Sequence, residues 1–240
     1  MFQLNDQVSF TRRDPKELQG ERGFMAFINF ATGEVGCKIV YYGPARCGKT
    51  MNLKYIYSKI RKNIVGRMTS IDTKGDATIF FDFLPLELGK IGGLSIRIQL
   101  YTVPGQVHHN ATRKLVLEGV DGVVFVADSL RVRRDDNIES MLNLFDNLRD
   151  QGVNVKDIAI VLQFNKRDLM GGIAPILPLQ TLEEDLNATL GAPTFPASAT
   201  EGSGVYDTLR AVSKMAARSV CSKMRSHALV LSQGKNECTF

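Results

Sequence analysis

Eight consecutive residues carry the strongest chemical signal in the chain: Gly43-Pro44-Ala45-Arg46-Cys47-Gly48-Lys49-Thr50 fit the pattern GxxxxGK[ST]. The terminal glycines permit tight turns that leave backbone N–H groups facing one point, and a helix starting at the end of the loop adds positive potential there. A phosphate chain is the ligand such a concavity takes. Lys49 is placed to reach the β- and γ-phosphates, and Thr50 to offer its hydroxyl to Mg²⁺. The candidate phosphate-side residues are therefore Gly43, Ala45, Arg46, Cys47, Gly48, Lys49, Thr50 and the adjoining Met51.

A second segment, Asn165-Lys166-Arg167-Asp168, follows the apolar run Ile158–Phe164. That is where ligands bind in open α/β sheets, beyond the C-terminal ends of the strands. The Asp168 carboxylate can accept two hydrogen bonds, matching the N1–H and exocyclic amino group of guanine, a pair that adenine lacks. Downstream, Ala197-Ser198-Ala199-Thr200 is placed so that Ser198, Ala199 and Thr200 offer backbone N–H groups to the base. Three ordered segments of this kind point to a guanine nucleotide, GTP or GDP, held with Mg²⁺.

The elements that must position these residues alternate along the chain. Cys37–Tyr42 reads as a strand entering the phosphate loop, and Gly48–Arg61 as a helix with apolar residues at Leu53, Ile56, Tyr57 and Ile60. Ala77–Leu84 and Leu94–Val103 read as strands joined by a Gly-rich turn, hence an antiparallel hairpin. Val120–Ala127 is almost continuously apolar, as a strand covered on both faces should be, and Ile158–Phe164 reads as another buried strand. Helices are expected at Ala111–Glu118, Ile138–Arg149, Leu179–Leu190 and Gly204–Met224, with a short strand at Thr194–Ala197. The expected fold is α/β, a P-loop Ras-like G domain with a mostly parallel sheet, one antiparallel edge strand and helices on both faces.

Composition bounds the alternatives. A 240-residue chain with 44% hydrophobic and 23% charged residues is neither disordered nor fibrous. Residues 1–24 read as an N-terminal extension, 25–224 as the G domain and 225–240 as a flexible tail. No apolar run approaches the ~20 residues of a membrane helix, and no signal peptide is expected. Cys238 misses the prenylation spacing by one residue, so no stable membrane anchor is expected. A net charge of +5 without interleaved arginine and aromatic residues argues against a nucleic-acid partner. Four cysteines without paired spacing suit a cytoplasmic setting.

Longer stretches resemble the bacterial MglA family of Ras-like small GTPases. The resemblance rests on Lys38–Pro44, Phe80–Leu86, Leu100–Gln106, Val120–Ser129 and Ala199–Gly202, and spans about Phe27–Ala217. Thr102-Val103-Pro104-Gly105-Gln106 is its most specific part, since it replaces the DxxGQ element of ordinary Ras-like proteins. The resemblance implies a GTP-dependent switch in cell polarity or motility, polarity or motility effectors, a Roadblock-type activator, MglB, and polar placement in the cytoplasm. By position it makes Thr78 the switch threonine that touches Mg²⁺, Gln106 the residue that orients the attacking water, and Gly105 a nucleotide contact. Thr102 stands where a magnesium-facing Asp is usual. Asp82 on the neighbouring strand is the candidate substitute; its other reading is a polar residue on a strand face.

Two departures bear on turnover. Ala45 replaces the usual second glycine of the loop, where a Cβ can crowd Gln106. Ala77 replaces an arginine that the family pattern carries as an intrinsic finger, a group worth about 10³–10⁵ in rate. Slow hydrolysis is expected, with Lys74 and Arg46 the candidate stand-ins, and a GTP-locked scaffold that only binds partners is the alternative. Cys47 invites a redox reading but suits packing better. His108 and His109 read as surface residues of the switch region, and Arg131-Val132-Arg133-Arg134 as a solvated loop.

Overall fold

The computed structural model of the chain describes residues 28–29, 33–59, 68–72, 80–91 and 94–233. Its centre is one sheet of eight strands: β1 (Ile28–Asn29), β2 (Glu34–Tyr42), β3 (Thr69–Asp72), β4 (Phe80–Ile91), β5 (Leu94–Thr102), β6 (Gly122–Asp128), β7 (Ala159–Asn165) and β8 (Thr194–Pro196). The order across the sheet is β3-β4-β5-β2-β6-β7-β8, with β1 pairing antiparallel to β2. Five α-helices accompany it among the described residues: α1 (Lys49–Lys59), α2 (Asn110–Leu117), α3 (Arg134–Asp150), α4 (Leu179–Leu186) and α5 (Val205–Gln233).

Side-chain alternation along β2 explains the layering. Cys37, Ile39 and Tyr41 point into a core completed by Leu53 and Ile56 of α1 and by Leu209, Val212 and Ala216 of α5. Val40 and Tyr42 point the other way, into a core built by Leu117 of α2, Leu144 and Leu148 of α3, and Leu182 of α4. Every residue of β6 and of β7 is buried, as the apolar runs require when helices cover both faces. The expected α/β G-domain architecture is therefore what the chain adopts.

Details of the sheet differ from the sequence reading. The reversed strand, β4, lies one place in from the edge, because Thr69–Asp72 pairs antiparallel beyond it and so runs in the majority direction. With Ile71 its one apolar residue, that four-residue strand carries no alternation to announce it. The hairpin is tighter than expected, with Ile91 in register with Leu94, and Gly89 and Lys90 belong to the strand. Helix α5 continues to Gln233, beyond Met224, so the start of the expected tail is helical. Residues 1–24 lie outside the described residues. No described helix is long and apolar enough to cross a membrane.

The inner strands also carry a polar cluster that ties α1 and α5 to β7. Asn52 and Gln163 exchange side-chain hydrogen bonds of 2.8 and 3.0 Å, and Gln163 also donates to Thr208 Oγ1 at 3.1 Å. All three residues are fully buried. Truncating one partner strands the other without water, a cost of about 1–3 kcal/mol. Urea unfolding of Asn52→Ala should show a loss of that size, whereas Leu142→Ala, at an exposed site on α3, should stay within about 0.5 kcal/mol of the parent.

Candidate functional site

All three motif segments emerge at the C-terminal edge of the sheet: the phosphate loop after β2, the Asn165–Asp168 segment after β7 and Ser198–Thr200 after β8. The phosphate loop closes tightly. Gly48 has φ +106°, and a Cβ there would collide with the Asn165 side-chain amide, so only glycine fits. Arg46 holds a left-handed φ of +61° although it is not glycine, with its side chain exposed. Strain of this kind costs on the order of 1–3 kcal/mol and persists only where the surroundings over-determine it.

Lys49 lies across the loop, 7% exposed. Its Nζ donates to the carbonyls of Gly43 at 3.0 Å and Pro44 at 2.6 Å, and touches Cys47 Sγ at 3.6 Å. Burial pushes this ammonium below the ordinary lysine range; Cys47 opposes it, Arg113 pushes the same way as burial, and Asp82 opposes least. None of the ion pairs among the described residues involves Lys49. A desolvated cation satisfied by neutral acceptors gains from an approaching anion.

Beside it stands a compact set of oxygens. Thr50 Oγ1 donates to Asp82 Oδ2 at 2.6 Å, and Thr102 Oγ1 donates to the same oxygen at 3.1 Å while accepting from the Asp82 N–H at 2.9 Å. Asp82 is 1% exposed. Hard divalent cations prefer such oxygen sets, and these residues fit Mg²⁺ with Asp82 supplying the charge that Thr102 does not. Thr78, the other expected metal-facing residue, lies outside the described residues, as do Ala77 and Lys74.

On the base side, Asn165 joins two loops. Its amide nitrogen donates to the Cys47 carbonyl at 2.7 Å, and its amide oxygen accepts from the Ala199 N–H at 2.9 Å. Lys166 adopts φ +68° and sends its Nζ to Asp128 at 2.6 Å. Ser198 Oγ lies 3.0 Å from Thr200 Oγ1 and accepts from the Glu201 N–H at 3.2 Å, which fixes the turn around the buried Ala199. Asp168 is exposed, its carboxylate open to a ligand.

A cavity of about 500 Å³ opens between the phosphate loop and the switch segment, lined in part by Arg46, Lys49, Thr50, Met51, Thr102 and Gln106. Gly105 abuts the backbone of Ala45 so closely that a Cβ on it would collide with that backbone. Gln106 is exposed beside it. Cys47 is fully buried, which favours the packing reading. His108 and His109 form a short 3₁₀ turn with Val107, their rings 4.1 Å apart.

Two arginines escaped the sequence reading. Arg113 is fully buried, stacked 4.2 Å from the Tyr42 ring and donating to Ser140 at 2.7 Å. Burial lowers its guanidinium's affinity for a proton. Arg133 is not a solvated loop residue: its Nη2 donates to the Ala45 carbonyl at 2.8 Å. A helical spacing of Arg113 with Val116 and Leu117 was the only signal for the first, and none marked the second.

No protein-family model matches the chain. A curated protein does: the mutual gliding-motility protein MglA of Myxococcus xanthus (strain DK1622) is 50% identical over 191 residues, covering 80% of this chain and 95% of that protein.

Removing the Asn165 side chain should uncouple the loops. Asn165→Ala strands two buried backbone groups, and equilibrium unfolding should show a loss of about 2–4 kcal/mol. Asp168→Ala, at an exposed position, should leave stability within about 0.5 kcal/mol while removing the preference for guanine over adenine nucleotides in a competition titration.

Proposed function

The chain belongs to the MglA family of small GTPases, and on that footing we propose that it is a GTP-dependent switch acting in bacterial motility and polarity, with slow intrinsic hydrolysis. The observation that carries the reading is the buried Lys49 ammonium, satisfied by carbonyls and a thiol, facing the same cavity as the Thr50 hydroxyl. Lys49 and the loop N–H groups would hold the β- and γ-phosphates, and Asp168 with the Ser198–Thr200 turn would hold guanine. Thr50, Asp82 and Thr78 would hold Mg²⁺, which when bound neutralises charge on the phosphates.

For hydrolysis, Gln106 is the residue of this chain that can orient a water by its amide. Its neighbour Gly105 rests against the Ala45 backbone, and Ala45 and Gln106 line the same cavity, so the methyl group of Ala45 would crowd the glutamine as it turns inward. Slow turnover follows from that crowding and from the alanine at position 77. A Roadblock-type partner of the MglB kind would act on the segment Pro104–His109, where Gln106 and His108 are exposed. The locked-scaffold alternative draws on the same Ala45 contact and differs in holding GTP without turnover or exchange on a useful timescale.

Nucleotide extracted from the purified protein should be guanine nucleotide at one equivalent. Single-turnover GTP hydrolysis should run below about 10⁻² s⁻¹ alone and rise about tenfold or more with a Roadblock-type partner. Bound adenine nucleotide would overturn the reading, and GTP that neither turns over nor exchanges would favour the scaffold. The metal assignment has its own check in GDP release: chelating Mg²⁺ should accelerate release from the parent. Asp82→Ala should already release GDP about 10- to 100-fold faster in Mg²⁺ and respond little to chelation.

A further inference from the structure

We propose that Arg133 is a positioning residue of the nucleotide site: it clamps the phosphate loop at the Ala45 carbonyl and, through Asp128, couples that loop to the base-reading loop, thereby slowing nucleotide release. The inference rests on the guanine-nucleotide reading above.

Arg133 stands at the turn leading into α3, and each arm of its guanidinium has a distinct neighbour. Nη2 donates to Ala45 O at 2.8 Å, Nη1 pairs with Asp136 Oδ2 at 2.6 Å, and Nε lies 4.0 Å from Asp128 Oδ2. The side chain is 29% exposed, so most of it is withdrawn from water. Asp128, at the end of β6, is fully buried. Its Oδ2 accepts from Lys166 Nζ at 2.6 Å and its Oδ1 from the Leu130 N–H at 3.1 Å. Asn137 of α3 bonds both the N–H and the C=O of Asp128, each at 2.9 Å, so the carboxylate has little freedom. One immobile anion thus sits between a cation of the phosphate loop's clamp and a cation of the base-reading segment.

The clamp acts on the one peptide unit of the loop that most needs it. Arg46 follows Ala45 with a left-handed φ of +61°. The peptide unit is planar and trans, so its C=O and N–H point in opposite directions. Holding Ala45 O towards Arg133 turns the Arg46 N–H away from Arg133, and Ala45 and Arg46 line the same cavity as Lys49. A charge-assisted bond is about twice as strong as a neutral one, and it fixes this peptide against the strain at Arg46. Arg134, next in sequence, provides the contrast: it bridges Asp185 at 2.7 and 2.8 Å, half exposed.

The test uses the full chain loaded with a fluorescent N-methylanthraniloyl GDP, chased with excess GDP. Arg133→Ala should release the probe about tenfold faster, and Arg133→Lys, which keeps the charge but not the fork, should recover part of the difference. Arg134→Ala should stay within about twofold of the parent, as an exposed pair warrants. Because Asp128 links the two cations, the effect of Arg133→Ala should shrink in a Lys166→Ala background, a coupling that general loosening of the fold would not produce. Release from Arg133→Ala within about twofold of the parent, or additive effects of the two alanines, would overturn the inference alone. A parent protein that retains no fluorescent GDP would overturn the nucleotide reading and this inference together. Should Arg133→Ala fold poorly, Arg133→Gln supplies the same comparison with most of the volume kept.

Discussion

The amide of Asn165 is the joint on which the ligand-facing edge of the molecule depends. With one nitrogen and one oxygen it holds the phosphate loop at Cys47 and the final loop at Ala199, and it sits where Gly48 leaves no room for a side chain. A sheet with parallel strands delivers loops to a common edge but does not fix their spacing, because each loop is attached to a separate strand. Asn165 supplies that spacing directly. Its two bonds are buried, so neither can be replaced by water without cost.

Cations dominate the ground around this joint. Lys49 and Arg113 are both withdrawn from water, and each has its charge disfavoured first by burial. Arg113 is stacked on Tyr42, whose hydroxyl is itself tied to Asn143 at 2.7 Å and Asn147 at 3.0 Å. Such a layout is costly to the chain by itself and favourable towards a multiply charged anion, since each cation gains Coulomb energy in a low-dielectric setting. Fold stability and ligand binding are therefore linked: a ligand that binds only the folded form adds to its stability.

The central elements were legible in the sequence because their signals are local. β6 and β7 announce themselves as nearly continuous apolar runs, and the phosphate loop as glycines at fixed spacing between a strand and a helix. The edge strand Thr69–Asp72 was not legible, since its pairing partner β4 decides it and only Ile71 of its four residues is apolar. Arg133 was hidden for a related reason. Four residues containing three arginines look alike as a string, and only the packing of α3 against the loop separates the inward one from its neighbours. The candidacy of Asp82 came from resemblance, and its contact with Thr50 depends on a strand that reaches the loop from across the sheet.

The strand order has a consequence for synthesis. β2 and the phosphate loop leave the ribosome early, yet β2 sits between β5 and β6, both made later. Pairings between strands far apart in sequence form slowly, because the intervening chain must first be gathered in. The Asn165–Asp168 and Ser198–Thr200 loops follow β7 and β8, which add last at one edge. Translation therefore delivers the Gly43–Thr50 loop well before the Asn165–Asp168 and Ser198–Thr200 loops, and under the proposed function full hold on a nucleoside would wait until residues up to Thr200 have emerged and docked.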